Sequence, residues 1–215
     1  MQIKSFCPRL RKQLGFTMIE LLIVIAILGI LAVAVLSAIN PIEQINRGRD
    51  TGSRSDAEQL VTAIDRYYAM KGIYPWMDTA ADAVAYPWTM VGLTDLLAAP
   101  TFLSTGGCPA LYRLSDMPAT PPAGCGATEV GTQELKIGFV NKVDADSYNK
   151  LYVFHDAQNY DSTYVCFAPK SNSFQQEADD RVNAPSGLPD DYPTDAYGQP
   201  VDGHCGPGGN CVCLP

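Results

Sequence analysis

The sequence predicts an α+β protein: a long N-terminal helix, apolar in its first half and amphipathic in its second, packed on a small antiparallel β-sheet head. Three observations carry this. The run from Phe16 to Ile39 holds a single charge, Glu20. Past it, Ile42, Ile45, Leu60, Ile64 and Tyr67 recur at helical spacing. Beyond Pro75 that spacing gives way to short β-rich runs separated by turn residues.

Residues 1–15 form a basic leader, with Lys4, Arg9, Arg11 and Lys12 and no acid. The positive-inside bias keeps this end cytoplasmic and sends the C-terminus outward. Residues 16–40 form the transmembrane half of the helix. As a helix they run about 36 Å, enough for a hydrocarbon core of about 30 Å. Glu20 in such a run costs roughly 2.5–3.5 kcal/mol on insertion scales, so something must offset it. An ordinary secretory signal is cut after its apolar stretch at a small-residue site. No A-x-A site closes this run, which ends Ser37-Ala38-Ile39-Asn40-Pro41. Gly15-Phe16 instead offers a small residue on its cytoplasmic side.

The string Gly15-Phe16-Thr17-Met18-Ile19-Glu20-Leu21 resembles the class III signal of type IV pilins and type II secretion pseudopilins. That resemblance implies cleavage between Gly15 and Phe16 by a prepilin peptidase, followed by N-methylation of Phe16. It also implies that Glu20 pairs with the Phe16 amine of a neighbouring subunit as a filament assembles. The physics agrees: cleavage creates an ammonium that can meet a carboxylate in lipid, where each alone is costly. A plain signal anchor with a stray Glu is the contrary reading.

Residues 41–72 are read as the amphipathic continuation of the same helix. Gly29 and Pro41 weaken it, by low propensity and by a missing backbone donor. Lys71, Gly72 and Pro75 make a stop signal of cation, left-handed residue and helix breaker. Arg54-Ser55-Asp56 and Tyr67-Tyr68 through Gly72-Ile73-Tyr74-Pro75 are similar to the stalk of major pseudopilins and related pilins.

Residues 73–215 form the extracytoplasmic head. Tyr74–Trp88 reads as a connector rich in Pro and Ala, and Thr94–Ala99 as a short helix capped by Thr94. Leu93, Leu96, Leu97, Phe102 and Leu103 are expected to pack on the stalk. Strands are expected at Ala110–Leu114, Glu134–Val140, Leu151–His155 and Thr163–Phe167, forming a meander whose one face covers the stalk. The tail from Ser171 is polar and rich in Pro, Gly and Asp, and is expected to be irregular and pinned by cysteines.

The whole chain carries 15 basic and 23 acidic side chains, for a net charge of −8. Removing the leader's four cations leaves 11 basic against 23 acidic, a net of −12. Such a surface argues against general nucleic-acid binding, which runs on phosphate neutralisation. Of seven cysteines, Cys7 lies in the leader. The even set left, Cys108, Cys125, Cys166, Cys205, Cys211 and Cys213, reads as disulfides in an exported domain. Cys108–Cys125 is favoured because it closes a Pro-rich loop, with Cys166 joining the C-terminal group. Cys211 and Cys213 are not expected to pair across one residue.

Catalytic constellations are weak. There is no nucleophile motif, phosphate-binding glycine loop or paired-carboxylate site. His155 closes an expected strand and reads as a surface or hydrogen-bonded residue. His204, Cys205, Cys211 and Cys213 have the residue types for zinc but not a standard spacing. Asp190, Asp191, Asp195 and Asp202 are candidate calcium ligands, hard oxygen donors on a polar tail. Asp195-Ala-Tyr197-Gly198-Gln-Pro200 resembles a turn of major pseudopilins, which hold calcium in a C-terminal loop. No cofactor is otherwise expected.

The reading is a structural subunit and not an enzyme. The expected product is a type IV pilus-like or type II secretion filament. The precursor is a single-pass cytoplasmic membrane protein, and the assembled form lies outside the cytoplasm or on the cell surface. The resemblance implies three partners: sibling pilin subunits, the prepilin peptidase/methyltransferase, and a membrane assembly platform. A DNA-uptake pseudopilin or a minor pilin shares the same N-terminal signature. A signal-anchored enzyme or metal-binding protein is the alternative from another class.

Overall fold

The structure is a computed structural model that describes residues 15–38, 40–92, 102–145, 149–156, 161–183, 188–189, 191–193 and 210–215. The chain divides into two compact units, Met1–Pro41 and Ile42–Pro215.

In the first unit, helix α1 spans Met18–Ala38. Every described side chain from Phe16 to Ser37 is exposed. At about 1.5 Å per residue, α1 is about 30 Å long, the thickness of a hydrocarbon core. Gly29 lies inside it without interrupting it. The helix stops before Asn40, and a second helix, α2, starts at Pro41 and runs to Lys71. The single helix expected from Phe16 to Lys71 is therefore two. A residue before proline is pushed out of the α region, and Pro41 has no N–H to offer the preceding turn. At the first position of α2 that missing donor costs nothing.

In the second unit, α2 ends as its stop signal requires. Gly72 adopts φ +71°, and its N–H donates to the Tyr68 carbonyl at 2.8 Å. Ala57, Leu60, Ile64 and Tyr67 bury one face of α2 in the core of the head. Facing them is a four-stranded antiparallel sheet in the order β1 (Tyr86–Met90), β2 (Leu151–His155), β3 (Thr163–Phe167), β4 (Val212–Leu214). Leu151, Val153, Val165, Phe167, Val212 and Leu214 join the same core. The expected α+β architecture, with a helix on a small antiparallel sheet, is the one observed.

The strands expected at 151–155 and 163–167 form β2 and β3 and pair in register from Leu151 opposite Phe167 to His155 opposite Thr163. The other two are helices. Ala110–Leu114 is a single turn, α3, made of residues that all favour helix or tolerate it. Within the run 134–140, residues Ile137 onward open α4 (Ile137–Asp144), and Leu135, Phe139, Val140 and Val143 are buried. Their spacing of three and four is that of a helix face, not of alternation.

Three elements appear where none was expected. β1 lies in the Pro-rich connector; Pro87 is tolerated because β1 is an edge strand with a register shift between Tyr86 and Thr89. α5 (Asn172–Asn183) occupies the start of the tail, and β4 lies at its end. Phe102 is fully buried in the core, whereas the expected helix at 94–99 and Leu93, Leu96 and Leu97 lie outside the described residues.

An aromatic stack ties the end of α2 to the sheet. Tyr68, Tyr74, Trp76 and Tyr86 follow one another with ring centroids 4.4, 4.7 and 4.8 Å apart. Phe102 meets Tyr86 edge-on at 5.8 Å. Such pairs add stability beyond the area they bury.

Candidate functional site

The candidate site begins at the N-terminus of α1. Gly15 is exposed, and a Cβ placed on it would meet nothing within 4 Å. Phe16 is 71% exposed. Thr17 then caps the helix: its hydroxyl oxygen accepts the Glu20 N–H at 3.2 Å, and its carbonyl accepts the Leu21 N–H at 3.2 Å. The Thr17 hydroxyl also lies 3.5 Å from a Glu20 carboxylate oxygen, at the limit of a donated bond. This is the T-x-x-E arrangement of a capping box, which satisfies helix-end donors and seats an acid where the helix dipole favours it. Thr17 was read from the sequence as part of the Gly15–Leu21 string but not as a cap, although threonine three residues before a glutamate at a helix start was the signal. Glu20 is thus held on the first turn of α1, exposed, as the one charge in an otherwise apolar helix. Residues 1–14, expected to be the rest of a leader, lie outside the described residues.

Cysteines organise the head. Cys108 is joined to Cys125, and Cys166 to Cys213. The first bridge closes its loop only because glycine is opposite it. A Cβ on Gly124, which has φ +88°, would sit 2.4 Å from the Gly107 carbonyl carbon. The second bridge links directly opposed residues of β3 and β4. Cys211 is also disulfide-bonded; Cys205 lies outside the described residues. With Cys211 and Cys213 oxidised, neither offers a thiolate for the zinc set read from the sequence. His204 lies outside the described residues. His155 is buried, not on the surface, and its Nδ1 lies 3.1 Å from the Thr163 hydroxyl.

Of the four candidate calcium ligands, Asp191 is described, and Asp190, Asp195 and Asp202 are not. Asp191 accepts the Ser162 N–H at 2.6 Å and the Tyr164 hydroxyl at 2.8 Å, one on each oxygen. Burial works to raise its pKa, but these donors outweigh burial and hold it below the usual carboxylate value. Tyr164 responds in the opposite sense: burial, and then the carboxylate it donates to, push its hydroxyl pKa up.

Three polar anchors were also missed. Arg113, 4% exposed, donates to the carbonyls of Pro75 at 3.1 Å and Met77 at 2.8 Å. It pairs with the carboxylates of Asp78 and Glu129 as well. Burial opposes ionisation of Asp78, but the Arg113 bond overcomes it and lowers the Asp78 pKa. On α2, buried Asp50 accepts the N–H groups of Lys170 at 3.0 Å and Ser171 at 2.7 Å, and the Ser171 hydroxyl at 2.6 Å. Asp56 holds the Lys142 ammonium at 2.6 Å. These acids continue the buried face of α2 (50, 53, 56, 57, 60, 64, 67), and that phase was the signal that they face inward.

Fold and N-terminus together define a pilin-like chain: an exposed apolar helix opened by a capped glutamate, and a second helix on a small antiparallel sheet. Residues 10–36 match the model of the prokaryotic N-terminal methylation motif. The chain is 33% identical over 91 residues to type II secretion system core protein G of Pseudomonas aeruginosa, covering 42% of this chain and 54% of that protein. It is 41% identical over 73 residues to fimbrial protein EcpC of Eikenella corrodens, covering 34% of this chain and 46% of that one. The chain thus spans about half the length of these curated relatives. No solved structure gave a significant match. The resemblance read from Gly15 to Leu21 therefore agrees with both the motif match and the relatives.

Proposed function

We propose that this chain is a structural subunit of a type IV pilus-like or type II secretion filament. It is made as a membrane-anchored precursor, cut between Gly15 and Phe16 by a prepilin peptidase, N-methylated on Phe16, and passed to a membrane assembly platform. It acts by packing and not by catalysis. The observation that carries the reading is the match of residues 10–36 to the methylation motif, on an apolar helix whose described side chains from Phe16 to Ser37 are all exposed. The two relatives, one from a secretion system and one fimbrial, support a filament role and are divided between the two machines.

The mechanism follows from charge in lipid. Cleavage leaves an ammonium on Phe16, and Glu20 lies one helical turn away on its own chain and is exposed to a neighbour. In hydrocarbon each charge is costly alone, and pairing across subunits offsets both costs and sets the axial register. The remaining contact between apolar helices is van der Waals packing, since lipid is as apolar as leucine.

Intact mass and N-terminal sequencing of membrane-derived protein test the first step. A start at methylated Phe16 is expected; a start at Met1 overturns the reading. Glu20→Ala tests the second. Processing should persist while filament yield collapses, and normal filament yield would rule out the proposed pair.

A further inference from the structure

We propose that the cleft beside the first turns of α2 binds the phosphate of an anionic membrane phospholipid. The cleft, about 370 Å³, is lined by Arg49, Ser53, Asp56, Lys142, Asn149 and Lys170. Three cations meet one acid there. Asp56 is occupied by Lys142, whose ammonium bonds both carboxylate oxygens at 2.6 and 2.8 Å. Asp50, beneath Lys170, directs its oxygens to the N–H groups of Lys170 and Ser171 and to the Ser171 hydroxyl. Among the described residues, neither Arg49 nor Lys170 makes an ion pair, and both are exposed. In a chain that sums to −12 once the leader is gone, this concentration of unneutralised cations is a local exception.

A second feature selects a lipid over a free anion. Ile42, Ile45, Arg49, Gly52 and Asp56 are spaced three and four apart and so share one face of α2. Ile42 and Ile45 are 67% and 57% exposed. The face therefore reads apolar first and cationic about 10 Å later along the helix. A phospholipid presents the same order on leaving a bilayer, acyl and glycerol carbons and then phosphate. In sequence, Ile42 and Ile45 follow directly on the apolar segment that ends at Ile39, and Arg49 follows them. This inference rests on the membrane-anchored reading above. The site would hold its lipid until a sibling subunit displaces it.

The test uses full-length protein in detergent, analysed by native mass spectrometry with added phosphatidylglycerol, phosphatidylcholine or inorganic phosphate. Phosphatidylglycerol should be retained in preference to phosphatidylcholine. Arg49→Gln/Lys170→Gln should weaken it about 30-fold, from the usual contribution of a basic residue near an anionic surface. Lys71→Gln/Lys136→Gln removes the same charge from exposed sites elsewhere and should leave binding unchanged. Equal loss in both double variants, or none in the first, overturns the site. Displacement by millimolar inorganic phosphate overturns the lipid as its occupant. Unchanged lipid binding with loss of self-association in Arg49→Gln/Lys170→Gln assigns the cleft to a second copy and overturns it too. Alkaline carbonate extraction of the same protein from vesicles separates the two readings. A chain released by carbonate refutes the anchor, whereas a retained chain blind to headgroup refutes the cleft alone.

Discussion

Replacing both halves of the Cys166–Cys213 bridge with alanine should cost the head about 4 kcal/mol. The bridge spans a sequence separation of 47 residues. Loop-closure entropy removed from the unfolded chain grows with the logarithm of that length, which gives about 4 kcal/mol at 25 °C. The Cys108–Cys125 bridge spans 17 and gives about 3 kcal/mol by the same reasoning. Both halves of the longer bridge are fully buried, so the lost sulfurs add a packing cost in the same direction. Urea unfolding of full-length protein in detergent reads this out through tryptophan fluorescence, since Trp76 and Trp88 both lie in the head and are the only tryptophans. Cys166→Ala/Cys213→Ala should lose more stability than Cys108→Ala/Cys125→Ala. A loss under about 1 kcal/mol, or the reverse order, would refute the reasoning. It would mean that the β3–β4 ladder and the Arg181 bond to the Cys213 carbonyl at 2.9 Å hold the tail whether or not the bridge is present.

Arg113→Met should destabilise the head by about 3 kcal/mol, because Asp78 and Glu129 lose their buried cation and two carbonyls lose their donor; an unchanged urea midpoint contradicts this. Thr17→Ala removes the cap on α1, worth about 1 kcal/mol, and should lower filament yield less than Glu20→Ala does while leaving the mature mass start at Phe16. A yield as low as that of Glu20→Ala would show that Thr17 does more than cap. Burial pushes the hydroxyls of Tyr74 and Tyr86 up to about 12. Their folded pKa values lie above the unfolded value of about 10, so the stability they confer is complete below pH 10 and falls as pH rises toward 12. Thermal melts should show that decline, and Tyr74→Phe/Tyr86→Phe should flatten it; a slope unchanged in the variant assigns the decline to other groups.

What was legible in the sequence was what has a period or a local chemical signature. The apolar run, the Lys71-Gly72 stop and the two β-branched strands 151–155 and 163–167 each rest on residues close in sequence, and each is where it was expected. The failures share a cause. Glu134–Val140 places apolar residues at 135, 137, 139 and 140, an alternation that fits a strand; the helix shows only once Val143 is included, since Phe139, Val140 and Val143 are the buried face of α4. β4 is three residues long and pairs with β3 through Cys213 opposite Cys166, a pairing no local window contains. At the N-terminus the same logic explains why the site was read and its support was not. Gly15, Phe16 and Glu20 are conspicuous because each breaks the rule around it: a small residue before a bulky one, or a charge in an apolar helix. Thr17 breaks none. A threonine before an apolar run is ordinary until the helix start is fixed. Only then does its hydroxyl, 3.2 Å from the Glu20 N–H, identify the residue that orients the first turn on which the glutamate sits. The acids of α2 follow the same pattern from the opposite direction. Asp50 and Asp56 look like solvent-facing charges in a polar stretch, and their place on the core stripe becomes clear only against Leu60, Ile64 and Tyr67. Polar groups buried on such a stripe must find partners, and theirs are the backbone of Lys170 and Ser171 and the Lys142 ammonium. Those contacts leave Arg49 and Lys170 unneutralised at the surface, so the cationic cleft is a by-product of how α2 is fastened to the sheet.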